Sequence, residues 1–256
     1  ITADRLHSRL ATESIPIELV DLAETLNQML ARLEDSFRRL SDFSSDIAHE
    51  LRTPVSNLLT QTQVMLLRVR TIDEYQDVLA SNAEELERMA KMIADMLFLA
   101  KADNNLVVPN LEAVDLRAEA EGLASFYEAV AEENSVTLTV DGSATVTGDR
   151  LMLRRAIGNL LSNAFGHTPR GGYVRIQIGK NEDRMATIQV ENSGETISPE
   201  HLPRLFDRFY RADPSRKRLA DGVGLGLALT RSIIQAHGGS VSVRSADGVT
   251  IFELQM

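Results

Sequence analysis

Cysteine is absent from the 256-residue chain, which excludes disulfides, thiolate metal sites and a cysteine nucleophile. Tryptophan is also absent, and no run approaches the roughly 20 apolar residues of a membrane-spanning helix. Acidic residues outnumber basic ones, and the net charge of −10 argues against direct binding to nucleic acid, which needs basic patches. The length allows one large domain or two modest ones. Because the sequence begins with Ile1 instead of Met, we expect it to be part of a longer protein.

The first part of the chain has the apolar repeat of packed helices. Leucine or isoleucine recurs every seven residues from Leu26 to Ile47, beside a second apolar row, which predicts one helix from about Pro16 to Arg70. The sequence Thr71-Ile-Asp-Glu74 is a capping box and predicts a second helix to about Ala102. Two antiparallel helices with wide apolar faces cannot bury them alone. We therefore expect two copies of the chain to form a four-helix bundle.

A histidine in the first helix lies off the apolar stripe. His49 comes two residues after Ile47, so at about 100° per residue it points toward solvent or a large partner. Glu50 could hold one ring nitrogen protonated and leave the other as a nucleophile, and Thr53 shares the face of His49. Pro54 should kink or loosen the helix here. On these grounds alone, a solvated surface histidine remains the alternative.

After a linker marked by Asp103-Asn-Asn105 and Pro109, the pattern changes to mixed helices and strands. Helices are predicted at 115–133, 149–165 and 225–237, and strands at 136–140, 173–178, 185–190, 241–245 and 249–254. A loop from about Gly194 to Gly224 is expected to contain a short helical piece at 199–210. This order predicts an α/β sandwich with one mixed sheet under helices.

Three groups of residues in this half suit phosphate chemistry. Asn159 and Asn163 are one helical turn apart, and their amide oxygens are suitable ligands for Mg²⁺. The glycines of residues 222–226 precede a helix, where backbone N–H groups and the helix dipole favour phosphate. Basic residues at Arg211 and 216–218 lie just before them. Each group also has an ordinary explanation: a polar helix face, a flexible loop or a solvated charge run.

The segment FSSDIAHELRTP, residues 43–54, resembles the phospho-acceptor box of bacterial sensor histidine kinases nearly letter for letter. The resemblance implies that ATP phosphorylates His49, that Glu50 acts as the base and that Thr53 assists phosphatase chemistry. It also implies a dimeric phosphotransfer bundle, and a response regulator whose aspartate receives the phosphoryl group.

The motifs of the second half, in their order, resemble the N, G1, F and G2 boxes of the ATP-binding domain of the same kinases. This domain has the Bergerat (GHKL-like) fold, which chaperones, mismatch-repair proteins and type II topoisomerases share. The resemblance implies ATP and Mg²⁺ as cofactors, with Asn163 holding the metal, Arg211 facing the phosphates and the glycines forming the hinge of an ATP lid. The nucleotide-binding residues implied in this way are Asn159, Asn163, His167, Asn192, Gly194, Arg211, Gly222, Gly224, Leu225 and Gly226.

Three positions depart from the family's pattern. Gly166 stands where a Lys or Arg commonly precedes the residue at His167, and Thr196 replaces a glycine. Asn192 stands where an Asp usually accepts a hydrogen bond from the adenine amino group. An amide oxygen can also accept this bond, so adenine recognition should persist with a weaker grip. Gly166 and Asn192 motivate an alternative function, a degenerate dimeric scaffold or phosphatase without kinase activity. An ATPase of the chaperone or mismatch-repair type is a second alternative, against which the box around His49 argues.

The expected fold class is α+β and multidomain: a helical hairpin that forms a dimeric four-helix bundle, followed by an α/β sandwich ATP-binding domain. Residues 1–37 resemble the C-terminal half of a HAMP linker with a signalling helix, for which a plain coiled coil is the alternative. Residues 38–104 are expected to form the dimerisation and phosphotransfer domain, and residues 105–256 the catalytic domain.

Three stretches, residues 82–88, 148–154 and 191–211, are similar to the heavy-metal (copper and silver) sensor kinases. This similarity implies a metal-responsive kinase whose partners are a second copy of the chain and a cognate response regulator, without nucleic acid. It implies a cytoplasmic position for these residues and a place in the bacterial inner membrane for the full-length protein, with membrane contact only through upstream segments.

Overall fold

A computed structural model describes residue 16 and residues 19–181, 184–212 and 224–256. The chain divides between Met89 and Ala90 into two compact units, which are described one at a time. Three predicted features lie partly or wholly outside the described residues. They are the start of the HAMP-like segment (residues 1–15 and 17–18), the basic run 216–218 and Gly222.

Two long helices make up the described part of the first unit, and the second of them extends into the second unit. Helix α1 (Val20–Leu66) is followed by a short turn and by α2 (Ile72–Asp103), whose last part belongs to the second unit. The predicted capping box is present, since the Thr71 N–H donates to Glu74 Oε2 at 2.9 Å and the Glu74 N–H donates to Thr71 Oγ1 at 3.2 Å. Helix α1 passes the buried Pro54 without interruption. A bend at Pro54 stays a prediction.

The first unit exposes many large apolar side chains. On α1 and α2 the exposed fraction is 49% for Val55, 56% for Leu59, 66% for Leu79 and 56% for Leu86. By contrast, Leu26, Leu30, Ile47, Leu51 and Leu58 of the predicted stripe are half-buried. A set of exposed apolar residues of this size is typical of a surface that a partner covers.

The second unit is built on a five-stranded sheet. Its strands are β2 (Thr137–Gly142), β4 (Tyr173–Lys180), β5 (Ala186–Ser193), β6 (Ser240–Ala246) and β7 (Val249–Gln255), in the spatial order β2-β4-β5-β7-β6. Only the β2–β4 pair of this sheet is parallel. The helices are α3 (Leu116–Asn134), α4 (Arg150–His167) and α5 (Gly226–Ala236), and two short strands, β1 (Glu112–Asp115) and β3 (Thr145–Gly148), pair with each other.

Strand periodicity places the core between the sheet and the helices. Alternate residues of β4, β5 and β7 are almost fully buried, and so are the inner faces of α4 and α5. The largest fully buried side chains in this core are Leu153, Ile157, Leu160, Leu161, Ile176, Ile188, Leu229, Ile233, Ile234 and Phe252. The opposite face of the sheet is polar, with an ion pair of 3.5 Å between Arg175 and Glu191. The predicted α/β sandwich is confirmed.

Two local features differ from the sequence prediction. Strands β1 and β3 were not predicted, because four residues are too few to show an alternating pattern and the pairing of Val114 with Val146 is between distant parts of the chain. The helical piece expected at 199–210 is reduced to one 3₁₀ turn at Leu202–Arg204. Pro203, the fifth residue of the expected helix, lacks the N–H that would bond to the Pro199 carbonyl, and its ring would clash with that carbonyl.

Candidate functional site

One face of α4 carries three of the predicted site residues. Asn159, Asn163 and His167 follow each other at intervals of four, so they lie along one side of the helix. Both asparagines are half-buried and His167 is exposed, whereas Ile157, Leu160 and Leu161 are fully buried in the core. The packing of the apolar face therefore fixes the direction in which the asparagines point.

Asn159 connects α4 to the first turn of α5. Its Nδ2 donates a hydrogen bond to the Gly226 carbonyl oxygen at 3.1 Å. The hydroxyl of Thr230, which is fully buried, donates to the same oxygen at 2.9 Å. The start of α5 is thus held against α4, and only the Oδ1 atom of Asn159 remains to serve a metal.

Gly224 lies just before α5, and its backbone packs closely against that of Phe209. Its φ angle is +77°, and a Cβ atom built on it would lie 2.8 Å from the Phe209 carbonyl carbon. The Phe209 N–H donates to the Gly224 carbonyl oxygen at 3.0 Å, and Phe209 itself has φ of +59°. A residue with a side chain would be strained and would clash at position 224.

The end of β5 brings a polar residue onto the buried face of the sheet. Asn192 is 3% exposed and continues the row of Ile188 and Val190. Its Nδ2 donates to the Ser193 carbonyl oxygen at 3.1 Å, which leaves Oδ1 as the acceptor atom. Next to it, a Cβ atom on Gly194 would lie 2.6 Å from the His167 carbonyl oxygen. The absence of a side chain at Gly194 lets the end of β5 approach the end of α4.

Asp149 fixes the beginning of α4. Its carboxylate accepts hydrogen bonds from the N–H groups of Met152 and Asn110, both at 3.0 Å. Its own N–H donates to Nε2 of His237, whose Nδ1 atom lies 2.8 Å from the Ile233 carbonyl oxygen. Partial burial raises the pKa of the Asp149 carboxyl, but backbone N–H donors and the nearby His237 outweigh burial, and the pKa lies below its ordinary value.

The structure brings most of the predicted nucleotide residues together. Asn159 donates to Gly226, the His167 carbonyl lies next to Gly194, and Gly224 and the buried Leu225 lead into α5. Asn192 lies two residues before Gly194 on β5. Asn163 lies one turn after Asn159. Arg211 is exposed at the far end of the Phe209 segment. The result is a polar surface formed by α4, the end of β5 and the start of α5, here called the groove.

The groove suits a magnesium ion that arrives with a nucleotide. Within the described residues, no three His, Cys, Asp or Glu side chains cluster as a metal site would require. Mg²⁺ bound with a nucleoside triphosphate takes most of its ligands from phosphate oxygens and water and needs few from the protein. The amide oxygens of Asn163 and Asn159 fit that limited role.

The phospho-acceptor candidate is on α1, in the first unit. His49 and Thr53 are exposed and Glu50 is half-buried. The sequence prediction that His49 points away from the apolar stripe agrees with this exposure. The imidazole is open to reaction with a second molecule or domain.

Sequence reasoning did not predict the contact of Phe209 with Gly224 or the role of Thr230. The positive φ of Phe209 and its hydrogen bond to Gly224 have no local sequence signal, because they depend on a residue 15 positions away. A threonine at position 230, inside an otherwise apolar helix face, was a usable signal, since a buried hydroxyl needs an acceptor.

Comparison with known families gives two matches in this chain. Residues 39–105 match the His Kinase A (phospho-acceptor) domain, and residues 148–256 match the histidine kinase-, DNA gyrase B- and HSP90-like ATPase domain. Sensor histidine kinase CusS of Escherichia coli K12 is 51% identical over 96% of the chain. Probable sensor protein PcoS of Escherichia coli and probable sensor kinase SilS of Salmonella typhimurium are each 44% identical over the whole chain. The chain spans about half the length of these curated relatives (51–55%).

Two solved structures of histidine kinases have a fold similar to that of this chain. The Acinetobacter baumannii histidine kinase AdeS superimposes with a TM-score of 0.68 at 24% identity, covering 81% of this chain and 96% of that one. The histidine kinase ThkA, solved in complex with the response regulator TrrA, gives 0.67 at 19% identity, covering 95% of this chain and 68% of that one. Across the residues that the structure describes, no helix is both long and apolar enough to span a membrane.

Proposed function

Because this chain belongs to the sensor histidine kinases, we propose that it transfers the γ-phosphoryl group of ATP to His49 and then to an aspartate of a separate response regulator. The observation that carries the proposal is the presence, in one chain, of an exposed histidine in a phospho-acceptor domain and a glycine-edged polar groove in an ATPase domain. The histidine supplies the nucleophile, and the groove supplies a binding site for ATP, the phosphoryl donor.

The reaction at His49 is an in-line displacement. One unprotonated ring nitrogen forms a bond to the γ-phosphorus, the bond from that phosphorus to the β–γ bridging oxygen breaks, and ADP leaves. Glu50, adjacent on α1, holds the proton on the other ring nitrogen and stabilises the positive charge that develops on the ring. Thr53 is exposed one turn later on α1. We propose that it orients a water molecule that hydrolyses the phosphoryl group on the regulator, which is the phosphatase reaction.

In the groove, the adenine amino group donates to Oδ1 of Asn192, whose Nδ2 is already held by the Ser193 carbonyl. The N–H groups at Leu225 and Gly226 and the helix dipole of α5 favour the phosphates, with Arg211 and His167 at the edges. The missing side chains of Gly194 and Gly224 keep the backbone close to the nucleotide, and Gly222, which lies outside the described residues, is proposed to belong to the same binding site. When bound, Mg²⁺ neutralises phosphate charge, and Asn163 would hold it with Oδ1 of Asn159 beside it.

The active protein is proposed to be a homodimer, because α1 and α2 expose apolar residues that a second copy would cover in a four-helix bundle. The similarity to CusS, PcoS and SilS supports a metal-responsive role. The divisions at 1–37, 38–104 and 105–256 are proposed as domains. We place the chain on the cytoplasmic side of a longer inner-membrane protein with a cognate response regulator.

The alternative is a dimeric scaffold or phosphatase that has lost its kinase activity, which Gly166 and Asn192 motivate. Calorimetric titration with Mg²⁺ and a non-hydrolysable ATP analogue separates the two functions. The kinase should show Mg²⁺-dependent affinity that favours adenine over guanine nucleotides. A folded dimer without such affinity would favour the scaffold.

The role of His49 is tested by His49→Gln, which keeps a polar side chain on the exposed face of α1 but lacks the nucleophile. Incubated with γ-labelled ATP and Mg²⁺, the variant should take up no acid-labile label, while its affinity for the ATP analogue stays within about twofold of the unaltered chain. His201→Gln, which changes an imidazole in the second unit, is the matched control and should still be labelled. Retained acid-labile label in His49→Gln would assign the acceptor elsewhere.

A further inference from the structure

The last turns of α2 pack onto the ATPase unit of the same chain. Within residues 92–103, here called the α2 end, Met92, Asp95, Met96 and Leu99 are 7%, 8%, 3% and 0% exposed. Their spacing of three and four residues defines one buried helix face. The α2 end is therefore a docked part of the second unit.

Two ion pairs accompany this packing. Asp95, almost buried, pairs with Arg155 of α4, whose guanidinium carbon also lies 5.6 Å from the centre of the Phe98 ring. Asp103, the last residue of α2, pairs with Arg208 at 2.5 Å. A buried carboxylate that loses its partner is costly, so the Asp95 pair fixes how the α2 end is docked.

Both ion pairs connect to the start of α5 by short physical links. Arg208 precedes Phe209, whose N–H donates to the Gly224 carbonyl at 3.0 Å and whose carbonyl carbon would lie 2.8 Å from a Cβ atom on Gly224. Arg155 is one helical turn before Asn159, which donates to Gly226. The α2 end thus reaches Gly224 through one pair and Gly226 through the other.

We propose that Asp103 is a positioning residue for nucleotide binding: through Arg208 and Phe209 it holds Gly224 and the start of α5 in the geometry that accepts phosphate. The proposal rests on the nucleotide-binding function proposed above. Asp95 acts in the same direction through Arg155 and Asn159. Because coupling is reciprocal, a bound nucleotide also favours the docked α2 end. A signal that moves α2 would in this way alter ATP affinity without touching the nucleotide.

The experiment is a double-mutant cycle in the full chain, with Asp103→Asn, Arg208→Gln and the two combined. Asp103 is half exposed, so these variants should fold. Each single change should weaken binding of the ATP analogue with Mg²⁺ by roughly three- to tenfold, and the combination should be no weaker than the worse single variant. The KM for ATP should rise more than kcat falls. The exchanged pair Asp103→Arg with Arg208→Asp should recover part of the affinity.

Lys101→Gln, an exposed change on the same turn of α2, is the control and should leave affinity unchanged. A second readout needs no nucleotide: amide hydrogen exchange at residues 224–230 should be faster in Asp103→Asn and Arg208→Gln than in the control. Unchanged affinity and unchanged exchange in both single variants would overturn the proposal. If the unaltered chain itself binds no ATP, the nucleotide function fails, while the exchange measurement still tests the link from Asp103 to α5.

Discussion

At the scale of single residues, the orientation of the Asn192 amide determines what the groove can recognise. The amide is nearly buried and its Nδ2 donates to the Ser193 carbonyl, an orientation that keeps Oδ1 as the acceptor for a base. An acceptor suits the amino group of adenine and opposes the carbonyl oxygen of guanine. The sequence indicated an amide at this position, but not which end of it would be held.

Asn192→Leu, which keeps the size and removes the acceptor, should weaken ATP binding by roughly tenfold, the effect of one lost hydrogen bond to a buried group. GTP binding, which does not use this acceptor, should change by less than twofold. Competition of ATP and GTP against a fluorescent ADP analogue measures both. Equal losses for the two nucleotides would indicate general damage to the groove, and no loss of ATP affinity would remove Asn192 from base recognition.

The two asparagines of α4 should respond differently to the same substitution. Asn159→Asp removes the Nδ2 donor and places a carboxylate against the Gly226 carbonyl, whereas Asn163→Asp retains an oxygen ligand for Mg²⁺. We expect Mg²⁺–ATP affinity to fall about tenfold in Asn159→Asp and less than threefold in Asn163→Asp. Titration calorimetry at fixed ATP analogue and varied Mg²⁺ tests this, since both variants add one negative charge. The reverse order would make Asn159 the main metal ligand.

At the scale of elements, the helices and long strands were predictable and the connections between them were not. Caps and periodicity are local, which is why the Thr71 capping box and the start of α4 after Asp149 agree with the sequence prediction. The pairing of β1 with β3 and the junction of Phe209 with Gly224 depend on distant residues, so no local pattern indicates them.

The Asp149 carboxylate should stabilise the start of α4 in a pH-dependent way. Asp149→Ala should lower the free energy of unfolding by about 1 kcal/mol at pH 7, while Asp149→Asn, which keeps an N-cap acceptor, should cost less than half of this. Because the folded-state pKa of Asp149 is depressed, its contribution is present above the unfolded-state pKa of about 3.9 and is lost as pH falls through the folded-state value. The difference between the unaltered chain and Asp149→Ala in urea unfolding should therefore shrink in acid. A difference that stays constant down to the folded-state pKa would contradict this.

At the scale of the whole molecule, a single chain leaves many apolar residues of α1 and α2 exposed to solvent. Burial of one leucine contributes about 1.5–3 kcal/mol, so the proposed dimer should depend on several of them. Leu79→Asp and Leu86→Asp should each weaken dimerisation at least tenfold, measured by light scattering across a dilution series. Leu151→Asp, which changes a leucine on α4 that is 78% exposed, should leave the dimer intact. If the unaltered chain is monomeric at micromolar concentration, the proposed four-helix bundle is wrong.

The family and the fold class followed from the sequence because both halves contain long, specific motifs. The docking of the α2 end could not follow from it, since ion pairs such as Asp95 with Arg155 join residues 60 positions apart that look like ordinary surface charges in the sequence. Those contacts join the α2 end to the nucleotide groove within the second unit.

The most direct test of the central claim is the chemistry of the phosphorylated product. The chain is incubated with γ-labelled ATP and Mg²⁺, and the labelled protein is treated with acid and with alkali. We predict that the label is lost in acid and retained in alkali. Mass spectrometry should find it on the peptide that contains His49. A folded, dimeric chain that binds ATP but takes up no label, or carries it on an acid-stable ester, would contradict the claim that it is a histidine kinase acting at His49.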